Sequence, residues 1–258
     1  MQPDVIAVQE ILDTREADFA WAALFDGLRA HAGGNWRVDL QECGGEAAQH
    51  VGFVWNADRV TLSNMRDVWQ LNGASTSSAN PCAGNLRPGR GAYAKSLIGG
   101  ADFHIVVAHS DSGTKERDFD HRQTALGRLD SVFADLNSQS SDSDIVVLGD
   151  LNTMGAQGRV DAKGEIQLLE QVISRETPEY RHLNLTPACT EYFEGVCGWL
   201  DHVLVGRTMA EAERAELRLS GYCAERGGTP IRGAMPAAYE RLSDHCPIVF
   251  DLIDRDLD

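Results

Sequence analysis

The stretch that most constrains this chain is Asp144-Ile-Val-Val-Leu-Gly-Asp-Leu-Asn152. Its apolar run, Ile145 to Leu148, has the length and branching of a short buried strand, and Gly149 ends it. Such a strand belongs inside an α/β sheet, and open sheets of that class carry their chemistry at the carboxyl ends of the strands. Asp150 and Asn152 stand at that end, two residues apart, so both side chains can enter one cleft. The carboxylate can accept a proton or hold a metal-bound water, and the amide can donate to a charged oxygen. Taken alone, Gly-Asp-x-Asn describes a strand followed by a polar turn equally well.

The rest of the chain surrounds this strand with more of the same. Residues 4–9 read as a buried strand ending at Glu10. An amphipathic helix is expected over 16–31, with Phe19, Leu24, Phe25 and Leu28 on one face and Gly33-Gly34 as its stop. Strands are expected over 35–42, 50–55, 59–71, 91–97 and 102–108, the last running into His109. Residues 72–91, rich in Asn, Gly, Ser and Pro, form a loop long enough to be functional. A helix over 118–137 follows, with Phe119, Leu126, Leu129, Phe133 and Leu136 on one face, and a shorter one over 167–173. Residues 200–205, 215–222 and 247–252 read as strands and 223–239 as loop. The pattern has no repeat and no linker, which points to one domain over residues 1–258 that mixes strands and helices.

Composition narrows the partners. The chain has 23 basic and 39 acidic residues, a net charge of −16, which argues against holding nucleic acid on a broad basic surface. It leaves room for an enzyme that brings one phosphate into a narrow cleft. No apolar run approaches the roughly 20 residues that cross a bilayer, and no signal peptide precedes the first strand. The six cysteines form no C-x-x-C pair, which disfavours zinc. Cys189 and Cys197 flank a short loop and could close it as a disulfide, and Cys43 and Cys82 lie near loops where they could pair. An even count in loops favours an oxidising compartment, secreted or periplasmic.

Polar residues recur where apolar runs end. They are Glu10, His109, Asp150 with Asn152, Asp201 in Gly-Trp-Leu-Asp-His-Val, and Asp244 with His245 in Leu-Ser-Asp-His-Cys-Pro. Each has an ordinary explanation: Glu10 at a helix start, His109 in the core, Asp201 paired with Arg207, Ser243 to Pro247 a turn. Together they compose acidic oxygen donors suited to Mg²⁺ or Mn²⁺ and neutral or cationic donors suited to phosphate oxygens.

In this combination the chain resembles the metal-dependent endonuclease/exonuclease/phosphatase superfamily. The matching pieces are Val8-Gln-Glu10, the strand ending at His109, Gly149-Asp-Leu-Asn152, Leu200-Asp-His202 and Ser243-Asp-His-Cys-Pro247. The resemblance implies a four-layer α/β/β/α sandwich of two mixed, mainly antiparallel sheets with outer helices. It implies Glu10 and Asp244 at a Mg²⁺ or Mn²⁺ ion, Asp150 on the attacking water and Asn152 on the phosphate. His245, partnered by Asp201, and His109 contact the phosphate, and Arg90, or failing it Arg87, adds a contact from the long loop. It implies hydrolysis of nucleic acid, DNA favoured, by a monomer. The rivals are a lipid or inositol phosphate as substrate and an inactive binding member. The pattern departs from the family at its start. Members usually begin with a strand ending in a metal-holding asparagine about thirty residues before the glutamate, so the chain is expected to lack that strand through an N-terminal truncation or a late start.

Overall fold

The computed structural model describes residues 2–12, 14–43 and 48–257. In chain order its elements are β1 (Val5–Leu12), α1 (Arg15–Ala32), β2 (Trp36–Leu40), β3 (Gln49–Asn56), β4 (Val60–Val68), β5 (Gly89–Ser96), β6 (Asp102–His109), α2 (Glu116–Leu126), α3 (Leu129–Asn137), β7 (Ile145–Asp150), α4 (Ala162–Ile173), β8 (Tyr180–His182), β9 (Glu191–Phe193), β10 (Val196–Gly198), β11 (Asp201–Gly206), β12 (Arg218–Leu219), α5 (Gly221–Arg226), α6 (Ala237–Arg241) and β13 (Ile248–Val249).

The apolar runs become the middle of a six-stranded sheet in the order β4-β5-β6-β7-β11-β8. Only β6 and β7 run parallel, joined by a crossover through α2 and α3; every other pair in the sheet is antiparallel. A second, three-stranded antiparallel sheet has the order β1-β3-β2. Alternation along the strands gives each sheet an inner face. Val51, Phe53 and Trp55 of β3 pack there against Ala92, Ala94, Ile105 and Val107 of β5 and β6. On the outer face of the larger sheet, Val106, Ile145, Val147 and Leu204 meet Leu126, Leu129, Val132, Leu136, Leu169 and Ile173 of α2, α3 and α4. With α1 beside β2, this is the expected four-layer arrangement of two mainly antiparallel sheets with helices outside.

Several elements differ from the sequence pattern. The helix expected over 118–137 is two, broken at Gly127 and Arg128, which re-aims Leu129 and Val132 into the core at 0% exposure. The strand expected to reach residue 71 stops at Val68 and tightens into a 3₁₀ turn, Trp69–Leu71. Of 215–222 and 247–252, only Arg218–Leu219 and Ile248–Val249 pair. Their apolar residues are spent instead on covering one half of the sheet, where Ala215, Leu217, Ile248, Phe250 and Leu252 pack with Val146, Val203 and Val205. Residues 223–239, expected as loop, hold most of α5 and the first three residues of α6. The apolar face of α1 is poorly covered, with Phe19 79% and Leu24 41% exposed. Three disulfides, Cys43–Cys82, Cys189–Cys197 and Cys223–Cys246, use all six cysteines. Among the described residues no helix is long and apolar enough to cross a membrane.

Candidate active site

Sheet register builds the site. β6, β7 and β11 are neighbours, and the pairing places His109 opposite Asp150 and Asp150 opposite Asp201. Three residues expected from three separate motifs therefore share one row at the strand ends. Gly149 is required for this approach: its φ is +132°, and a Cβ there would lie 2.1 Å from the Ala108 carbonyl oxygen. Past the strand, Asn152 takes a left-handed φ of +51°, which asparagine tolerates better than most residues. That turn lets the Asn152 backbone N–H donate to Asp150 Oδ1 at 2.8 Å. The Asn152 amide donates to Asp150 Oδ2 and to the Ser110 carbonyl, each at 3.1 Å. The Gly-Asp-x-Asn spacing is thus a closed hydrogen-bonded turn that aims both side chains.

The surrounding loops are locked from behind. Buried Arg122 donates to both Glu165 oxygens at 2.8 Å and to the carbonyls of Asp111, Gly113 and Gly155, which ties the loop after β6 to the loop after β7. Thr153 donates to the Trp199 carbonyl at 2.8 Å, so its Oγ1 accepts from His202 Nε2 at 2.9 Å, and His202 Nδ1 then accepts from His182 Nε2 at 3.0 Å. These bonds fix Thr153, the residue that follows Asn152.

The two histidines are held in opposite charge states. Arg87 donates from Nη1 to His109 Nδ1 at 2.5 Å. A guanidinium offers only donors, so Nδ1 carries the lone pair and the neutral ring carries its proton on Nε2. That nitrogen lies 3.4 Å from Asp150 Oδ2 and 3.8 Å from Glu10 Oε1. Burial, with the charges of Arg87 and His245, pushes His109 down to about 3, so it stays neutral. His245 faces the other way. Burial opposes its charge, but the hydrogen bond from Nδ1 to Asp201 Oδ2 at 2.7 Å and the charges of Asp201, Asp150 and Glu191 outweigh it and raise the ring to about 10. Its Nε2 lies 3.9 Å from Asp150 Oδ2. Asp201 therefore serves His245 and not Arg207, which pairs with Glu179. Asp150 is 5% exposed. Burial and the charge of Asp201 raise its carboxyl to about 7, against the opposing charge of His245 and the Asn152 N–H.

Glu10 reaches this cluster from the other sheet. In β1 the register slips between Val8 and Ile11, and Glu10 sits in the bulge at φ +58°. Asp244 is half-buried beside His245; its carbonyl accepts from the Tyr222 hydroxyl at 2.5 Å and from the Tyr192 N–H at 3.1 Å. Arg90 is engaged elsewhere, donating to Asp39 at 2.6 Å and Asp67 at 2.9 Å. It is Arg87 that reaches the cluster. The spacing Arg87-Pro-Gly-Arg90 does not choose between them; the choice is made by β5, which fixes Arg90 opposite Val107. Glu191, which no motif marked, also lies close: its backbone bridges that of His245, and burial raises its carboxyl, with Asp244 and Asp201 adding to the rise.

Among the described residues no three acidic, histidine or cysteine side chains are grouped to hold a metal ion. Of the two residues expected to bind one, Glu10 lies 3.8 Å from His109 Nε2, and Asp244 is next to His245 in sequence and acts on the Glu191 carboxyl. The donor set present does not by itself compose a cation site, and the chemistry derived below is that of the side chains. That chemistry is well defined: a buried carboxyl that changes charge near neutral pH, beside one fixed cation, one neutral N–H donor, an amide and a guanidinium. It can remove a proton from water while stabilising an anion.

A family model described as the endonuclease/exonuclease/phosphatase family matches residues 1–245. No curated protein sequence matches the chain. Among solved structures, an endonuclease/exonuclease/phosphatase from Bacteroides vulgatus superposes with a TM-score of 0.57 at 15% identity, over 99% of this chain and 85% of that one. A mannosyl-6-phosphatase from Bacteroides thetaiotaomicron gives 0.58 at 14% identity, over 96% and 85%. A 3′ phosphatase from Neisseria, bound to a product DNA hairpin, gives 0.57 at 15% identity, over 97% and 89%. At such identities the likeness is one of fold.

Proposed function

Because the chain belongs to the endonuclease/exonuclease/phosphatase family, we propose that it hydrolyses phosphodiesters, with DNA as its first substrate. The observation that carries this reading is the convergence of His109, Asp150, Asn152 and the Asp201–His245 pair at one end of β6, β7 and β11. Asp150, raised to about 7, is suited to take a proton from water near neutral pH. The water oxygen bonds to phosphorus as that proton passes to Asp150, the bond to the leaving oxygen breaks, and the leaving oxygen takes a proton from solvent. The His245 cation, the Nε2–H of His109, the Asn152 amide and Arg87 face the charge that gathers on the phosphate. The Neisseria structure, by its product DNA, supports nucleic acid as the substrate class.

A requirement for Mg²⁺ or Mn²⁺ is part of the proposal and rests on the family resemblance, with Glu10 and Asp244 as the residues to test. Monomeric action and a secreted or periplasmic setting are proposed with it, the latter supported by the three disulfides. The net charge of −16 favours a second reading, a small, lipid or inositol phosphate that needs no basic track. Nicking of supercoiled plasmid with Mg²⁺, with Mn²⁺ and with chelator, beside Asp150→Ala, tests the first. Metal-dependent nicking that the variant loses supports it. Wild-type turnover by Asp150→Ala sinks the mechanism, and hydrolysis of lipid or inositol phosphates without DNA cleavage moves the substrate to the second reading.

A further inference from the structure

Asp201 and His245 come from segments 44 residues apart, yet their ring–carboxylate bond is short. One residue whose side chain touches neither functional group holds both segments, through its hydroxyl and its carbonyl. Thr190 is fully buried, and its Oγ1 accepts from the backbone N–H of Leu200 at 3.0 Å and of Asp201 at 3.1 Å. Its carbonyl accepts from the Cys246 N–H at 2.8 Å, and its own N–H donates to the Gly198 carbonyl at 2.7 Å. The next two residues repeat the contact: Glu191 bridges the His245 backbone, and the Tyr192 N–H donates to the Asp244 carbonyl at 3.1 Å. From the far side, Cys223 is joined to Cys246 and the Tyr222 hydroxyl holds the Asp244 carbonyl. Thr190 thus fastens the start of β11 with its hydroxyl and the histidine segment with its carbonyl.

We propose that Thr190 is a positioning residue for the Asp201–His245 pair, with the Cys223–Cys246 disulfide as the second fastening of the same clamp; this rests on the reading of the pair given above. The hydroxyl is the specific requirement. Valine has the same shape but no acceptor, so two buried N–H groups lose their partner and the Asp201 backbone is freed to shift. Serine keeps the acceptor. The carbonyl bond to Cys246 survives either change, so the substitution separates the Asp201 side of the clamp from the His245 side.

The test compares Thr190→Val and Thr190→Ser with the wild-type chain. The first readout is the hydrogen-bonded Nδ1 proton of His245 in the proton NMR spectrum, identified by its absence in His245→Gln. We expect Thr190→Val to broaden or lose it and to lower kcat roughly ten- to a hundredfold with little change in KM, as a small misplacement near the chemistry does. Thr190→Ser restores both. A resonance unmoved in Thr190→Val, or lost equally in Thr190→Ser, overturns the proposal. Because that readout needs no substrate, it decides the matter even if the wild-type chain cleaves no phosphodiester, a failure that falls on the proposed function alone. If Thr190→Val does not fold, amide exchange in the wild-type chain replaces it. Leu200 and Asp201 as slow as the interior of β11 support the clamp, and exchange at the rate of open loops overturns it.

Discussion

Two regions deliver side chains to the same point and do so with different firmness. β6, β7 and β11 each pair with a strand on both sides along part of their length, and packed layers cover both faces; at the site end the register joins the three to one another. His109, Asp150 and Asp201 inherit that rigidity and are 7%, 5% and 7% exposed. β1 is an edge strand of the smaller sheet, half-buried along most of its length, and the Glu10 side chain at its bulge is 49% exposed. The helix that follows, α1, leaves Phe19 largely and Leu24 partly in solvent. The central sheet therefore preorganises the groups proposed for proton transfer and anion binding, while the edge strand offers its carboxylate more loosely.

The largest effects are expected in the central sheet. Asp150→Ala should lower turnover by about 10²–10⁴-fold, the range for a proton-transfer group, with the circular dichroism spectrum unchanged. His245→Ala should cost about 10²–10³-fold, as loss of a charge-stabilising donor does. The pH profile follows from the signs of the shifts. In the proposed mechanism Asp150 acts without its proton, so activity should rise through about pH 7; His245 acts with its proton, so activity should fall through about pH 10. Asp201→Asn removes a charge that raises both groups, so both limbs should slide to lower pH. A profile in Asp201→Asn that keeps both limbs in place would disconnect the pair from the chemistry.

These groups are also the ones the sequence made legible. Buried strands announce themselves as apolar runs, and a polar residue at the end of such a run has few places to go. His109, Asp150 and Asp201 could be found without coordinates for that reason, as could the sandwich they sit in. What stayed hidden depends on contacts across large sequence distances. The break of the long helix at Gly127 is set by packing of Leu129 and Val132, which periodicity alone does not distinguish from a continuous face. Glu191 opens a short ladder of three-residue strands and Thr190 stands just before it, in a stretch too brief to give a pattern. The engagement of Arg90 with Asp39 and Asp67 joins β5 to β2 and β4, a pairing written in tertiary structure only.

The two arginines turn the comparison into a pair of opposite outcomes. Arg87→Ala removes the donor that fixes the His109 tautomer and should lower turnover roughly ten- to a hundredfold, with a melting temperature close to wild type. Arg90→Ala leaves two carboxylates facing each other. A fully buried broken pair costs about 3–5 kcal/mol. Asp39 and Asp67 keep side-chain exposures of 27% and 22%, so screening brings the expected loss to roughly 2–3 kcal/mol. Its turnover per folded molecule should be near normal. Denaturant unfolding and kinetics on both variants check this, and a reversal of the two phenotypes would return Arg90 to the site.

The smallest effects belong to the edge. Phe19→Ser removes an apolar side chain that is already 79% exposed, and stability should stay within about 0.5 kcal/mol of wild type. Glu10→Gln keeps the size of the side chain and removes its charge. Its bulged, half-open position gives it less leverage than Asp150, so turnover at saturating Mg²⁺ should fall by less than in Asp150→Ala. The Mg²⁺ concentration needed for half-maximal activity should rise, if this carboxylate meets the cation that the family resemblance implies. Titrating Mg²⁺ against nicking rate in both variants separates the two roles. A loss in Glu10→Gln as deep as in Asp150→Ala, at every Mg²⁺ concentration, would show that the edge strand is as firmly set as the central sheet. The bulge at φ +58° would then be a rigid device for aiming Glu10.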